Sequence, residues 1–397
     1  MSATQPRFVD LHLLQTVPYA NLNRDDLGSP KTLIYGGVTR TRVSSQCWKR
    51  AIRLAIEADL GDPAVRTRRI IQQVAARLRA DGWPDTLAVF AGQQVIEAAG
   101  SSGIKVEKDE ITTSVLLYLP AAALDGLTDL ARAHRAALEQ AHAASSAKKP
   151  TDGKKTADKR APDERPPLLP TGEVQRLLAA SNGSIALFGR MLAELPQAKV
   201  DGAVQVAHAF TTHATETELD FFTAVDDLNP AGETGSGHMN SLEFSAGVFY
   251  RYANVDLVDL TRNLGGDQAA ARALTAAFLR AFIGSVPTGK RTATAPQTLP
   301  DLAYAAVRAD RPLSLAGAFE APVRADQIGG WAAPSRRALA EYAISMHRLW
   351  GNGGTVQATH ASVEEKPITG LGEQVASFAD LIDTTVQAAF PPGQARS

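Results

Sequence analysis

Cysteine is nearly missing from this chain: Cys47 is the only one in 397 residues. A single thiol excludes an internal disulfide and any zinc cluster built on cysteines. Long hydrophobic runs are missing too. No stretch approaches 18 apolar residues, so no membrane span is expected. The opening residues, MSATQPRFVDLHLL, lack a basic segment followed by a long apolar one, and no signal peptide is read. A cytoplasmic location is therefore expected. Aromatic residues make up only 6%. Net charge is also small, since 41 basic residues stand against 42 acidic ones.

What is present is a local excess of charge. Residues 27–56 hold Lys31, Arg40, Arg42, Lys49, Arg50 and Arg53 and no acidic residue. The stretch follows NRDD (Asn23 to Asp26), contains Gly36 and Gly37, and ends in SSQCWKRAIR (Ser44 to Arg53). Ser44 or Ser45 can cap a helix whose apolar face is Trp48, Ile52, Ala55 and Ile56. Lys49 and Arg53 are four apart and share a face, with Arg50 beside them. Such cations neutralise phosphates and release counterions. Six engaged phosphates on a single strand give a log–log salt slope of roughly −4, at about 0.7 per phosphate. Unpaired N–H groups at the helix start also favour an anion.

Phe8 to Val17 alternates Val9, Leu11 and Leu13 with Asp10 and His12, which predicts a strand with one buried face. A loop through Gly28, Pro30, Gly36 and Gly37 is expected next. A mostly helical region runs over 62–142. Residues 143–170 hold seven basic and four acidic residues, several prolines and little that is apolar, which reads as a disordered, solvated insertion. Residues 177–195 read as helical or mixed, and 201–213 as strand-like. Phe221 to Asn240 reads as an extended projecting loop. Leu242 to Val255 alternates, with Phe244, Val248, Tyr250 and Tyr252 on one face. A helix over 267–283, strands near 290–295 and 301–308, and helices near 335–350 and 372–389 complete the reading. This succession fits an α+β, ferredoxin-like or RRM-like core among several topologies.

Most catalytic motifs fail on inspection. GSVPTGKRT (Gly284 to Thr292) approaches a P-loop, but Arg291 stands where a hydroxyl ligand for magnesium is needed, and Pro296 follows where a helix should run. His208 and His213 are five apart with no glutamate base, which is not the spacing of a zinc peptidase. Cys47 reads as a packing residue. Asp226 and Asp227 near His238 could serve a metal-dependent nuclease, or could simply be solvated. Phe221 and Phe222, with Met191 and Met239, could stack on bases; both phenylalanines could equally be core residues.

At these residues the chain resembles the CasC backbone subunits of type I-E Cascade, a CRISPR surveillance complex of the RAMP superfamily. NLNRDDLGSPKTLIYGGVTRTRVSSQCWKRAIR carries the likeness. ALFGRM (Ala186 to Met191), KVDGAVQVAHAFTTH (Lys199 to His213), DFFTAVDDL (Asp220 to Leu228) and EFSAGVFYRYANVDL (Glu243 to Leu257) extend it. The resemblance implies an RRM-like palm, an inserted helical fingers domain and an extended thumb hairpin. The expected boundaries are palm over 1–60, fingers over 61–180, palm over 181–211, thumb over 212–241 and palm over 242–397. It implies a non-catalytic protein without cofactor or metal, stacked head-to-tail in several copies along CRISPR RNA. Target DNA would be met through the guide, beside the large, small, cap and guide-processing subunits. Carried over residue by residue, Arg24, Lys31, Arg42, Ser44, Gln46, Lys49, Arg50 and Arg53 would hold the guide backbone. Met191 would lie against bases, and Phe221, Phe222 and Met239 would lie on the thumb. The family often has Trp where Phe221 stands and Leu where Met239 stands. Two rivals stay open: a ribonuclease using Asp226, Asp227, a histidine and a metal, and a general single-strand RNA-binding protein.

Overall fold

The computed structural model describes residues 5–100, 103–146, 166–225, 236–351 and 354–392. The chain opens with β1 (Phe8–Ala20), β2 (Thr32–Tyr35), β3 (Val38–Val43) and α1 (Ser45–Leu60). Next come β4 (Ala64–Thr67), α2 (Ile70–Ala80), α3 (Asp85–Ala98), β5 (Leu117–Pro120), α4 (Ala121–Ala133), α5 (Arg135–Ser146), α6 (Thr171–Ala179) and α7 (Gly183–Phe188). Then follow β6 (Val204–Val206), β7 (Ala209–Thr211), β8 (Glu218–Val225), β9 (Ser236–Asp256), α8 (Leu257–Asn263), α9 (Gln268–Gly284) and α10 (Arg291–Thr294). The chain closes with β10 (Leu302–Arg308), α11 (Ala332–Trp350), β11 (Thr355–Ser362), β12 (Glu373–Gln374) and α12 (Phe378–Ala389).

Two compact units result: residues 1–59 with 203–397, and residues 60–202. The first unit is built on a mixed sheet in the order β12-β11-β10-β1-β9-β7-β3-β2, with β6 and β8 also paired to β9. All pairings are antiparallel except β11 with β12. The second unit has its own core of Ile70, Val74, Leu78, Leu87, Val95, Leu119, Leu127 and Leu178. The expected boundary at residue 180 falls inside this unit.

Strand β1 lies in the middle of the sheet and is buried on both faces, not one. Asp10 and His12 are as inaccessible as Val9, Leu11 and Leu13, and Gln15 is buried on the same face as those three. The polar face is covered by α11 and the segment through Phe319. Its polar side chains meet one another inside the fold. Asp10 accepts from the Tyr252 hydroxyl at 2.8 Å and the Leu313 N–H at 2.9 Å, and it faces the Arg308 guanidinium at 3.2 Å. His12 Nδ1 lies 2.9 Å from the Tyr250 hydroxyl, with its ring stacked on Tyr252 and Tyr304. The alternating pattern was therefore real but hid a second buried layer. The same holds for β9, where Arg251 is buried opposite the Tyr250 and Tyr252 face.

Burial, with Arg308 adding to it, pushes the His12 imidazole down from 6.5 to about 3. The unfolded chain takes up a proton below 6.5 that the folded ring refuses. Its contribution to stability is thus complete above 6.5 and is lost as pH falls toward about 3. Asp10 acts in the opposite sense: burial raises its carboxyl from 3.8 to about 7, so its contribution is complete below 3.8 and lost as pH rises through about 7. His12→Gln removes only the imidazole contribution. Its destabilisation relative to the parent is expected to shrink between about pH 7 and about pH 4, read from urea midpoints. A constant difference across that range would contradict a buried neutral ring.

Four local expectations change. The loop over 32–43 is a hairpin, β2–β3, whose two-residue turn uses Gly36 and Gly37 at φ of 62° and 77°. Positive φ at both positions suits glycine and matches the twist of a tight hairpin. Gly36 also lies against the Glu320 carbonyl, where a Cβ would collide. Residues 290–295 form not a strand but the short helix α10, flanked by left-handed Lys290 and Ala295. Within the P-loop-like sequence, Gly289 sits against the Leu22 and Asn21 carbonyls, so it serves close packing of chain on chain. Of the segment over 143–170, residues 143–146 finish α5 and Leu169 is buried in the second core. Residues 147–165 lie outside the described ones. Strand β11 was not anticipated.

Candidate nucleic-acid interface

Helix α1 starts where expected and buries Trp48, Ile52 and Ile56. It is held to the sheet by Arg251, whose guanidinium lies 3.7 Å from the Trp48 ring centroid and 4.7 Å from that of Phe282. Arg251 also donates to Gln15 Oε1 at 2.6 Å and to the Phe282 carbonyl. Burial lowers this guanidinium to about 9. A buried cation sandwiched between two rings fixes the position of α1, and with it the helix mouth.

The six cations of the stretch divide into two groups. Arg40 is fully buried, and its guanidinium donates to the carbonyls of Tyr35, Thr211 and Phe319 at 3.2, 2.8 and 2.9 Å. It joins the β2–β3 hairpin to β7 and to the segment at 319. Arg53 is 9% exposed and donates to both Glu57 oxygens, at 2.9 and 3.2 Å. Glu57 is the acid one residue beyond the uncompensated window. Lys31, Arg42 and Lys49 are half-buried, and Arg50 is exposed. These four present charge at the surface.

Backbone bonds gather three segments at the mouth of α1. The Arg42 N–H donates to the Lys31 carbonyl at 2.7 Å, and the Lys31 N–H donates to the Asn23 carbonyl at 2.9 Å. Asn23 Oδ1 accepts from the Ser44 N–H at 2.8 Å. Arg24 is exposed and pairs across a bridge with Pro30. Ser44 is buried and its hydroxyl accepts from the Cys47 N–H at 3.3 Å, which makes it the cap. The expected set of unpaired donors is smaller than the sequence implies, because the Ser45 N–H is taken by His208 Nδ1 at 3.0 Å. The same Nδ1 lies 3.4 Å from Arg42 Nη1. Gln46 is exposed beside them. The Cys47 thiol, 3.6 Å from the Leu22 carbonyl, is raised by burial and packs as expected.

A long hairpin leaves the sheet from this unit. The later part of β9 pairs with β1 between Ser245 and Asp256. Its earlier part pairs only with β8, with Phe221 opposite Ser241, Phe222 opposite Asn240 and Thr223 opposite Met239. Phe221 is 68% exposed and Phe222 38%, so neither is a core residue. Asp226 and Asp227 lie outside the described residues. Among the described residues, no group of three or more His, Cys, Asp or Glu side chains is placed to hold a metal ion. None of their helices is long and apolar enough to cross a membrane.

In the second unit Met191 is 90% exposed. It follows Arg190, whose buried guanidinium donates to the carbonyls of Ala179, Ala180, Tyr118 and Ala198. Arg66, with its guanidinium 4.5 Å from the Tyr118 ring centroid, lines a cleft with Met191. Sequence reading missed Arg66 and His208. The spacing of His208 and His213 points only to a metal ligand, and nothing local signals that His208 reaches across to α1.

A mixed α+β protein with a large sheet, a cationic helix mouth and a projecting hairpin with exposed phenylalanines is the class that fold and site define. The chain belongs to the CT1975-like protein family, whose model matches residues 9–384. A solved chain of a "CRISPR RNA-guided surveillance complex, pre-nicking" is 49% identical with a TM-score of 0.86, covering 96% of this chain and 100% of that one. A second, from a "CRISPR RNA-guided surveillance complex", is 42% identical with a TM-score of 0.76 over the same shares. No curated protein matches.

Proposed function

We propose that this chain is a non-catalytic backbone subunit of a CRISPR RNA-guided surveillance complex, of the type I-E CasC kind. The observation that carries this reading is the full-length likeness to a chain of such a complex, at 49% identity and a TM-score of 0.86. In this reading the first unit is the RRM-like palm, the second the fingers and the β8–β9 hairpin the thumb. Lys31, Arg42, Lys49 and Arg50 neutralise guide phosphates, with Arg24, Ser44 and Gln46 at the same surface. Arg53 acts indirectly, by holding its helix face through Glu57. Phe221 and Phe222 wedge among the bases, on the hairpin that also carries Met239, and Met191 meets bases from the fingers.

The protein grips the backbone, and base pairing by the guide reads the target DNA. Copies associate head-to-tail, a heterologous contact that propagates until partner subunits cap it. The assembly works in the cytoplasm. Native mass measurement of the chain co-expressed with a repeat–spacer array tests the backbone role. Several protein copies on one RNA are expected. One copy per RNA would contradict it, and RNA cleavage lost in Asp226→Ala would contradict the non-catalytic reading.

A further inference from the structure

HAFTTH (His208 to His213) holds two histidines that neither a zinc site nor the guide motif explains. His213 is structural. Its Nδ1 lies 2.8 Å from the Ala214 carbonyl, its Nε2 accepts from the Val248 N–H at 3.1 Å, and its ring stacks on Trp331. His208 differs. It is exposed, yet its Nδ1 sits at the helix mouth against two donors from two elements. These are the Ser45 N–H of α1 at 3.0 Å and the Arg42 guanidinium of β3 at 3.4 Å. A nitrogen facing two donors must be the unprotonated one, so the ring proton belongs on Nε2.

We infer that His208 is a positioning residue of the guide-binding surface, whose bare Nδ1 holds the mouth of α1 and the Arg42 guanidinium together. The inference rests on the function proposed above. Partial burial of the ring, and then the charges of Arg42 and Lys31, both cations, hold the imidazole below its ordinary range. A second proton would have to enter at Nδ1, between the two donors it now accepts from. Acidification therefore adds positive charge to the surface and at the same time releases Arg42 and Ser45. Guide affinity is expected to fall as the ring protonates. A histidine that contacted phosphate as a cation would have the opposite effect.

The test uses the full chain and a single-stranded guide RNA, with binding measured across salt and pH. His208→Ala is expected to weaken binding roughly tenfold, the scale of losing two modest hydrogen bonds. His208→Asn places an acceptor near the Nδ1 position and should restore most of the affinity, without the acid-side loss. His208→Gln places its amide near Nε2 and should not. The salt slope should stay at the parent value in all three, whereas Arg42→Ala lowers its magnitude by about 0.7. Rescue by Gln and not Asn, a slope lowered as in Arg42→Ala, or tighter parental binding in acid would overturn the inference. Nitrogen NMR of the RNA-free chain checks it independently of RNA: Nε2 should carry the proton, and a protonated Nδ1 would refute it. A parent chain with the expected tautomer but no affinity for RNA would instead sink the proposed function.

Discussion

Changing Lys49 and Arg50 together to glutamate is expected to strip guide RNA from the purified protein while leaving it folded. Arg50 stands on the exposed side of α1, and Lys49 is half-buried at its edge; neither belongs to the apolar face of Trp48, Ile52 and Ile56. A charge-assisted hydrogen bond contributes about 1.5–3 kcal/mol, so losing two and adding repulsion should lower affinity at least ~100-fold. The salt slope should shrink by about 1.4, at about 0.7 per phosphate. Surface changes of this kind usually alter stability by less than about 0.5 kcal/mol. Arg53→Glu is the contrast. Its guanidinium is bonded to buried Glu57, and reversing its charge sets two acids together, at a cost of about 3–5 kcal/mol. RNA content is read from the ratio of absorbance at 260 and 280 nm, and folding from thermal melts. A double reversal that keeps its RNA would remove α1 from the interface. A double reversal that unfolds would make these charges structural.

The second large effect is expected from Phe221→Ala combined with Phe222→Ala. Stacking of a base on an aromatic ring contributes about 1–3 kcal/mol, and two exposed rings on one hairpin can provide that twice. The double variant should lose roughly 30-fold or more in guide affinity by that measure. Its melting temperature should stay within a few degrees of the parent, because both rings are exposed. Nuclease footprints of the bound guide should gain accessible positions where the two rings no longer cover bases. An unchanged footprint with unchanged affinity would leave the hairpin to protein contacts alone.

How much of this was legible in the sequence depended on the range of the forces involved. Helix α1 could be read because its apolar spacing, its serine cap and its cations all lie within one stretch. The β8–β9 hairpin was read as projecting, though its register needs pairing across a turn. The role of Arg40 was not legible. Its partners at Thr211 and Phe319 are far away in sequence, and one arginine in a basic run looks like any other. The buried Asp10 and His12 face was missed for the same reason. A polar residue alternating with apolar ones reads as solvent-facing until α11, more than 300 residues later, covers it. Arg53 looks uncompensated within residues 27–56 because its partner, Glu57, lies one residue beyond them.

The central claim is that four surface cations around the mouth of α1 hold the backbone of a guide RNA. Sequencing the RNA that co-purifies with the chain, after co-expression with a repeat–spacer array, tests it most directly. Array-derived transcripts, strongly enriched over bulk RNA and absent from the Lys49→Glu, Arg50→Glu variant, are the expected result. Bulk cellular RNA without array enrichment, or array transcripts retained by that variant, would contradict it.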